Sequence, residues 1–508
     1  MLRVSRQAAG TARGATIPAP TAGWNARDAL ADMKPGYAVA LVNYFPRGNS
    51  VDLRRGFDVH ATGLPSTPET LMEWSGATRK LFAAAGSGIY DVSSAGAVGA
   101  AVVSGLTNAR WQHTMFQTAG GNFLVACNGA DAVRNYDGTT WTTPSITGVS
   151  GADLIDVTAW KSRLWFVEDG TSFAWYLPTN SIAGAASSVN LGAQFRLGGT
   201  LRSIVSLSQD TADGPDDYLA FVSSKGEVVI YEGTDPASAN TFAMVGRYRI
   251  GAPIGQRCVI KIGGDAGVIT EEGVQSLLAM LRFDRGAAAR ATITDIIRNA
   301  FNDVVREYRG DFGWQGITYP EGQWALFNVP VTAGTEQYVM NTASGAWCRF
   351  TGMDAACWGL YGDDLYFGSG TSVYLADSGY DDGGAAIEGQ GKTAFDYLGS
   401  RGLLKRVTML RAIMVSNGVP APKIEVNVDY EDRVPTATPT FDTQAALWDV
   451  ALWDGATWGS GTAVAKSWTA VSGLGRCAAV HWTTSTTTLS ISVTAFDLLF
   501  EPSTGAAL

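Results

Sequence analysis

The sequence predicts a mainly β fold: a β-propeller with a helical insertion, accompanied by a further β-rich domain. Three observations lead there. A hairpin-like unit recurs along the middle of the chain, the composition is rich in glycine and aromatics but poor in charge, and one segment carries a sustained helical period.

The recurring unit is plain in "KLFAAAGSGIYDV", Lys80 to Val92, where two apolar runs flank a Gly-Ser-Gly turn. Related stretches begin at Asn122 ("NFLVACNGADAVRNYDG"), Ser162 ("SRLWFVEDGTSFAWYL"), Asp217 ("DYLAFVSSKGEVVIYEG") and Asp265 ("DAGVITEEGVQSL"). Two more begin at Gly322 ("GQWALFNVPVTAGTEQYVMNTASGAW") and Asp363 ("DDLYFGSGTSVYLAD"). Starts of the first four fall about 40 to 55 residues apart, the size of a four-stranded propeller blade. Strand-like runs between the hairpins, "RWQHTMFQT" from Arg110 and "LIDVTAWK" from Leu154, would complete the blades. A blade alone cannot bury both its faces, whereas blades stacked round an axis can, and they leave only short edges. Six or seven units are countable; an array of β-sandwiches is the competing reading.

The composition agrees. Gly numbers 60 and Trp 16 among 508 residues, and charged residues make up only 17%. Short strands, tight turns and large buried interfaces fit those values, and disorder does not. The net charge of −10 argues against wrapping duplex DNA by phosphate neutralisation. The first 60 residues run the other way, with eight Arg or Lys against four Asp or Glu. That reads as an arm docking on something acidic, or as an ordinary fluctuation of surface charge. Five scattered cysteines without a C-x-x-C pair read as buried thiols in a reducing cytoplasm. The opening residues lack an apolar core for a secretory signal, and no run is long enough to span a membrane.

Two Trp-terminated turns stand out, "YDGTTW" (Tyr136 to Trp141) and "WDGATW" (Trp453 to Trp458). Asp-Gly suits a type I′ hairpin turn, with the Trp clamping across the strand pair. The helical period runs from Thr292 to Arg309, with apolar residues from Ile293 to Tyr308 at three- and four-residue spacing. Thr292 and Asp295 would form a capping box, and Gly310 would supply the stop. After about Ala385, "GGAAIEGQGK" reads as a linker. Strand-like runs follow from Lys405, Lys423, Arg476 and Thr487, and the aromatic segment Phe441 to Gly461 between them is expected to pack on a partner.

No motif specifies catalysis, so no catalytic, cofactor-binding or metal-binding residue is assigned and no cofactor is expected. His60, His113 and His481 lie far apart in sequence, and no G-x-S-x-G elbow is present. "AIEGQGKT", Ala386 to Thr393, fails as a phosphate loop because Ala386 stands where Gly is required. The acidic stretches Ser208 to Asp217 and Asp377 to Gly384 do not match Ca²⁺-loop spacing and read as solvated turns. Asp137 and Asp454 sit in turns like the Asp-box hairpin of sialidases, but here Asp and Gly are adjacent where that box separates them by one residue.

"DALADMKPGYAVALVNYFPRGNSVDLRRGF", Asp28 to Phe57, resembles the opening of the tail nozzle and packaged-DNA stabilisation proteins of short-tailed bacteriophages. The matching positions are Asn43, Tyr44, Phe45 and Pro46, then Arg54, Arg55 and Gly56. "ETLMEWSGATRKLFAAAGSGIYDV" from Glu69 looks like that family's first blade. "EEGVQSL" with "ITDIIRNAFN" looks like its late blade and helix, and "LWDVALWDGATW" like its C-terminal aromatic loop. The resemblance implies an N-terminal arm (1–65) joining a platform, a propeller over 66–385 with the helix near 292–309, and a C-terminal β platform domain over 386–508. It also implies a non-enzymatic virion protein, a homohexameric ring below the adaptor ring and portal. Its channel would retain and then conduct viral DNA, without binding it specifically, and tail fibres or spikes could attach around it. Membrane insertion is not expected. Arg54 and Arg55 would belong to the arm or platform, or merely cap a strand edge. A propeller glycosidase cutting surface polysaccharide and a propeller binding module remain as alternatives.

Overall fold

The structure is a computed structural model that describes residues 12–211, 214–238, 240–282, 292–441 and 463–503. Its residues form two compact units. One comprises Asp58–Gln337 and Met353–Ala376; the other gathers the described residues up to Phe57, Tyr338–Gly352, and those from Asp377 onward.

The first unit is a seven-bladed β-propeller. The innermost strands of its blades are, in chain order, Pro68–Ser75, Gln112–Thr118, Leu154–Trp160, Leu201–Thr211, Val259–Ile262, Gln315–Tyr319 and Cys357–Tyr361. Each is followed by antiparallel neighbours laid outward, and each blade packs on the next until Cys357–Tyr361 meets Pro68–Ser75 and the ring is complete. The seven recurring hairpins of the sequence are the second and third strands of these blades; Arg79–Ala85 pairs with Gly88–Asp91, for example. Blades 1 to 4 each hold four strands.

Blade 7 is closed from the far end of the unit. Strand Gly56–Thr62 lies beside Ser372–Ser378 as its outer member. Residues 58–65, expected in an arm joining the platform, therefore belong to the propeller unit, and Tyr338–Gly352, within the expected propeller span, clusters with the other unit. The reason is edge protection: a strand from the other end of the ring covers an edge that would otherwise stay open.

Seams between blades are filled by aromatics. Between blades 1 and 2 lie Met72, Trp74, Phe82, Trp111 and Tyr136, and between blades 3 and 4 lie Trp160, Trp165, Phe221 and Phe242. Each large side chain so buried contributes about 1.5–3 kcal/mol. Trp141 does clamp its hairpin, its ring 5.4 Å from Tyr136 and 5.0 Å from Phe82. The turn before it is not the expected type I′. Four residues separate the paired Tyr136 and Trp141, and of Asp137 and Gly138 only Gly138 has positive φ. The Asp137 carboxylate instead accepts the backbone N–H of Thr139 and of Thr140, both at 2.8 Å, an Asx-type turn. Trp453 to Trp458, with Asp454, lies outside the described residues, as does the aromatic segment after Phe441.

The expected helix is present but shorter. A 3₁₀ turn, Asp295–Ile297, leads into helix Arg298–Tyr308, which buries Phe301 and Val305 against blades 5 and 6. The Thr292–Asp295 capping box does not form. Thr292 bridges to Gln275, Ile293 donates to the Val274 carbonyl, and Thr294 Oγ1 accepts from Val274 N at 3.1 Å. These residues extend blade 5, so tertiary pairing takes the first turn from the helix. Gly310 is not in the left-handed conformation expected of a stop.

The second unit contains two sheets. In one, Lys405–Ser416 is flanked by Ala463–Gly475 and Ile491–Pro502, and the latter also pairs with the N-terminal strand Arg13–Pro18. In the other, Ile387–Thr393 lies between Tyr37–Val42 and Ala478–Thr486, with Lys423–Val428 beyond. The N-terminal arm and the C-terminal part thus share one β-rich domain. The buried Trp482 joins the sheets, with ring centroids 5.7 Å from Tyr44 and 5.0 Å from Phe496. The segment read as a linker is corrected here: Ile387–Thr393 is a central strand. Its glycines are needed, because a Cβ at Gly391 would lie 2.0 Å from Trp482 and one at Gly389 2.7 Å from Tyr44.

Candidate functional site

Asn43 and Arg54 are the centre of a buried polar hub in the second unit. Asn43 takes a left-handed φ of 58°. Its amide donates to the Glu388 carbonyl at 2.8 Å and to Thr351 Oγ1 at 3.1 Å, while its oxygen accepts from Arg54 Nε and Thr351 N, both at 2.9 Å. Arg54 continues the hub. Its guanidinium grips Asp382 in a two-pronged pair at 2.7 and 2.6 Å, and donates to the carbonyls of Arg55 and Thr351. The Arg54 side chain is 0% exposed and that of Asp382 9%. Such bidentate, fully bonded pairs are the geometry in which a buried ion pair holds. Three stretches of the unit are stapled at this point. Two readings change as a result. Arg54 is internally neutralised, so it adds nothing to a basic outer surface, and the acidic stretch Asp377 to Gly384 is not simply a solvated turn. Arg55 is exposed.

The propeller's own candidate site is its axis. A cavity of about 140 Å³ opens there, with lining from every blade: Thr70, His113, Asp156, Ser203, Val259, Gln315 and Trp358 in blade order, with Gln256 and Arg257 just before blade 5. No residue of this site was singled out from the sequence. Asp156, an acid inside the apolar run "LIDVTAWK", was the available signal, since a charge on a packed inner strand is informative.

Asp156 bridges blades 3 and 4. Its Oδ2 accepts from Ser203 Oγ at 2.7 Å and Ile204 N at 3.2 Å, and its Oδ1 from Val157 N at 3.0 Å. Burial outweighs these bonds and the nearby Arg202 cation, and pushes its pKa up to about 6. His113 also lines the cavity. The surrounding protein, with Arg257 adding repulsion, pushes it down to about 4, so it is neutral at neutral pH. Arg257 crosses the axis: its Nη2 donates to Thr70 Oγ1 of blade 1 at 2.5 Å and to the Trp111 carbonyl ahead of blade 2 at 3.4 Å. The guanidinium therefore bars this end of the channel.

The Asp156 shift makes a prediction with a definite sign. A carboxyl whose folded pKa exceeds its unfolded value near 4 costs stability when ionised. That cost is absent below about pH 4, grows through the interval, and is complete above about pH 6. Asp156→Asn loses one of the backbone bonds at every pH, because its amide nitrogen cannot accept, but its net effect is expected to be more favourable at pH 7.5 than at pH 4.5 by about 2 kcal/mol. Urea unfolding at the two pH values checks this; an equal effect at both contradicts it.

The other sequence candidates stay apart. His60 Nε2 lies 2.9 Å from the Val92 carbonyl in the propeller. His481, in the second unit, is held between Gln390 and the Arg433 carbonyl, both at 2.9 Å. Among the described residues, no three His, Cys, Asp or Glu side chains come together to hold a metal. Ser208 to Asp217 forms the tip of a hairpin, with residues 212 and 213 outside the described set. All five cysteines are free and buried. Lys392, the would-be phosphate-loop lysine, is buried and donates to Asp432 at 2.9 Å. No helix of the described residues is long and apolar enough to cross a membrane.

No protein-family model matches the sequence, and no curated protein does either. Solved structures with some likeness include an exo-β-1,3-galactanase from Phanerochaete chrysosporium with galactose, at 12% identity and TM-score 0.29, over 76% of this chain and 95% of that one. BBS1N in complex with ARL6DN is 10% identical at TM-score 0.38, over 65% of this chain and 97% of that one. YCF48 bound to D1 peptide is 10% identical at TM-score 0.34, over 64% and 97%. Scores this low carry no argument about function, and the seven-bladed ring stands on the strand pairings themselves.

Proposed function

We propose that this chain is a structural subunit of the distal nozzle of a short phage tail, six copies of which ring a channel that retains and then conducts the genome. The observation that carries the reading is the buried hub of Asn43, Arg54 and Asp382: two residues of the stretch that resembles the phage family, Asn43 and Arg54, are ones on which one unit of this fold depends. Arg257 adds a physical constraint. The propeller axis, barred by a side chain, is too narrow for a duplex, so the DNA passage in this reading is the lumen between subunits. Closed rings arise when one surface patch meets a different patch with a rotation that returns to the start. In this reading the adaptor ring lies on the portal side, and fibres or spikes dock outside.

Native mass spectrometry and electron microscopy of the purified protein or the particle test this. A ring of six chains with a central hole is expected, whereas a monomer in both the pure protein and the virion overturns the reading. The Asp156 carboxyl favours a second reading, a glycosidase, because its raised pKa suits a general acid. Hydrolysis of this kind needs two carboxyl groups flanking the bond, and among the described residues Asp156 is the only one lining the axial cavity. No sugar release from host-surface polysaccharide is expected; release abolished by Asp156→Asn would establish the glycosidase.

A further inference from the structure

We infer that the axial cavity of the propeller is a binding site for one small oxyanion, a carboxylate or a tetrahedral phosphate-like ion, held by the guanidinium of Arg257. Among the described residues no carboxylate lies within ion-pair distance of Arg257, and its Nε and Nη1 make no hydrogen bond; only Nη2 is engaged, with Thr70 and the Trp111 carbonyl. A part-buried guanidinium that lines a narrow cavity with no carboxylate in ion-pair reach draws an anion toward it.

The surroundings supply no internal partner. The nearest acid on that side, Glu69, is already taken by Arg110 at 3.1 Å. Asp156, bonded to Ser203 and the backbone of blade 4, lines the same cavity, and its negative charge, present above about pH 6, opposes the anion. Phe312 offers its ring to both cations, with Arg110 at 4.1 Å and Arg257 at 5.6 Å from its centroid, which softens the positive charge but does not neutralise it. Arg202 donates to the Gly255 carbonyl nearby and adds a further positive charge. His113, neutral at neutral pH, lines the same cavity and can donate one N–H to an anion without adding charge.

Size selects the ligand class. At about 140 Å³ the cavity is below the ~300–1,000 Å³ of ordinary organic-ligand pockets, yet it has room for a formate-, acetate- or phosphate-sized ion. The free Nε–H and Nη1–H groups of Arg257 point to different sides of the guanidinium, so each offers a separate charge-assisted bond to an oxyanion oxygen rather than a two-pronged grip. The inference does not depend on the oligomer, so a failed ring assembly and a failed anion titration are separate results.

The test is calorimetric titration of the full-length protein with sodium acetate and, separately, sodium phosphate, at constant ionic strength set with chloride. Saturable one-site binding of at least one of them is expected, and which one binds separates the planar from the tetrahedral ion. Arg257→Gln is expected to weaken it by about ten-fold or more, the loss of one charge-assisted pair, while Arg110→Gln at the rim leaves it within about three-fold. Should Arg257→Gln not fold, the arginine Nε resonances of the wild-type protein are followed during the same titrations, and one is expected to shift saturably. Linear, unsaturable heats with both anions and no shifting resonance, or unchanged affinity in Arg257→Gln, overturn the inference.

Discussion

Arg54→Ala is expected to destabilise the unit built around the chain's two ends by about 3–5 kcal/mol. The substitution removes a side chain that is 0% exposed and leaves the Asp382 carboxylate, 9% exposed, without its partner. It also strips the Asn43 oxygen of one donor and the Thr351 and Arg55 carbonyls of theirs. Desolvation already spent on the pair is then no longer offset by Coulomb attraction or by hydrogen bonds. Replacing both partners, Arg54→Met with Asp382→Leu, is expected to cost less than Arg54→Ala alone, because no buried charge is stranded. Hydrogen exchange resolves where the loss falls: protection should drop in Tyr37–Val42 and Ile387–Thr393, which flank the hub, and persist in the inner strands of the propeller. A loss below about 1 kcal/mol, the level of an exposed pair, would contradict the buried geometry.

Gly391→Ala is expected to cost at least about 2–3 kcal/mol through overpacking. The added methyl would sit 2.0 Å from a ring carbon of Trp482. Trp482 is fully buried, with Tyr44 and Phe496 against it. The strand or the indole must therefore move, and both sheets of the unit feel it. Gly402→Ala is the control, since nothing lies within 4 Å of a Cβ there. Thermal unfolding with near-ultraviolet circular dichroism reads both the stability and the packing of the indole; equal stability of the two variants would show that the close approach is not real.

These two positions also show what could be read in advance. The hairpins were legible because their signals are local: short apolar runs such as "RKLFAAA" and "GIYD", flanking a glycine turn, need only that turn to pair. The helix was legible in existence but not in its first turn, because Thr292 and Thr294 are claimed by blade 5, far enough away in sequence to leave no local trace. Gly389 and Gly391 looked like linker residues because glycine weakens an isolated strand; only the indole and phenol on the facing strands explain them. Strand Ala463–Gly475 was missed for a related reason. Its Val464, Trp468 and Leu474 are exposed, and its register comes from pairing with Lys405–Ser416 rather than from a pattern of its own. The axial cavity was not legible, since its lining comes from seven strands spread over nearly three hundred residues.

By itself the sequence determined the repeated unit, the β class, the one substantial helix and the buried state of the cysteines, all consequences of residue type and short-range spacing. Tertiary structure decided the number of blades, the closure of the last blade by Gly56–Thr62, the pairing of Arg54 with Asp382, and the convergence of Arg257, His113 and Asp156 on one axis. The physical reason is range: turn chemistry and periodicity act over a few residues, whereas ring closure and buried-charge neutralisation join groups that only the folded chain brings within a few ångströms.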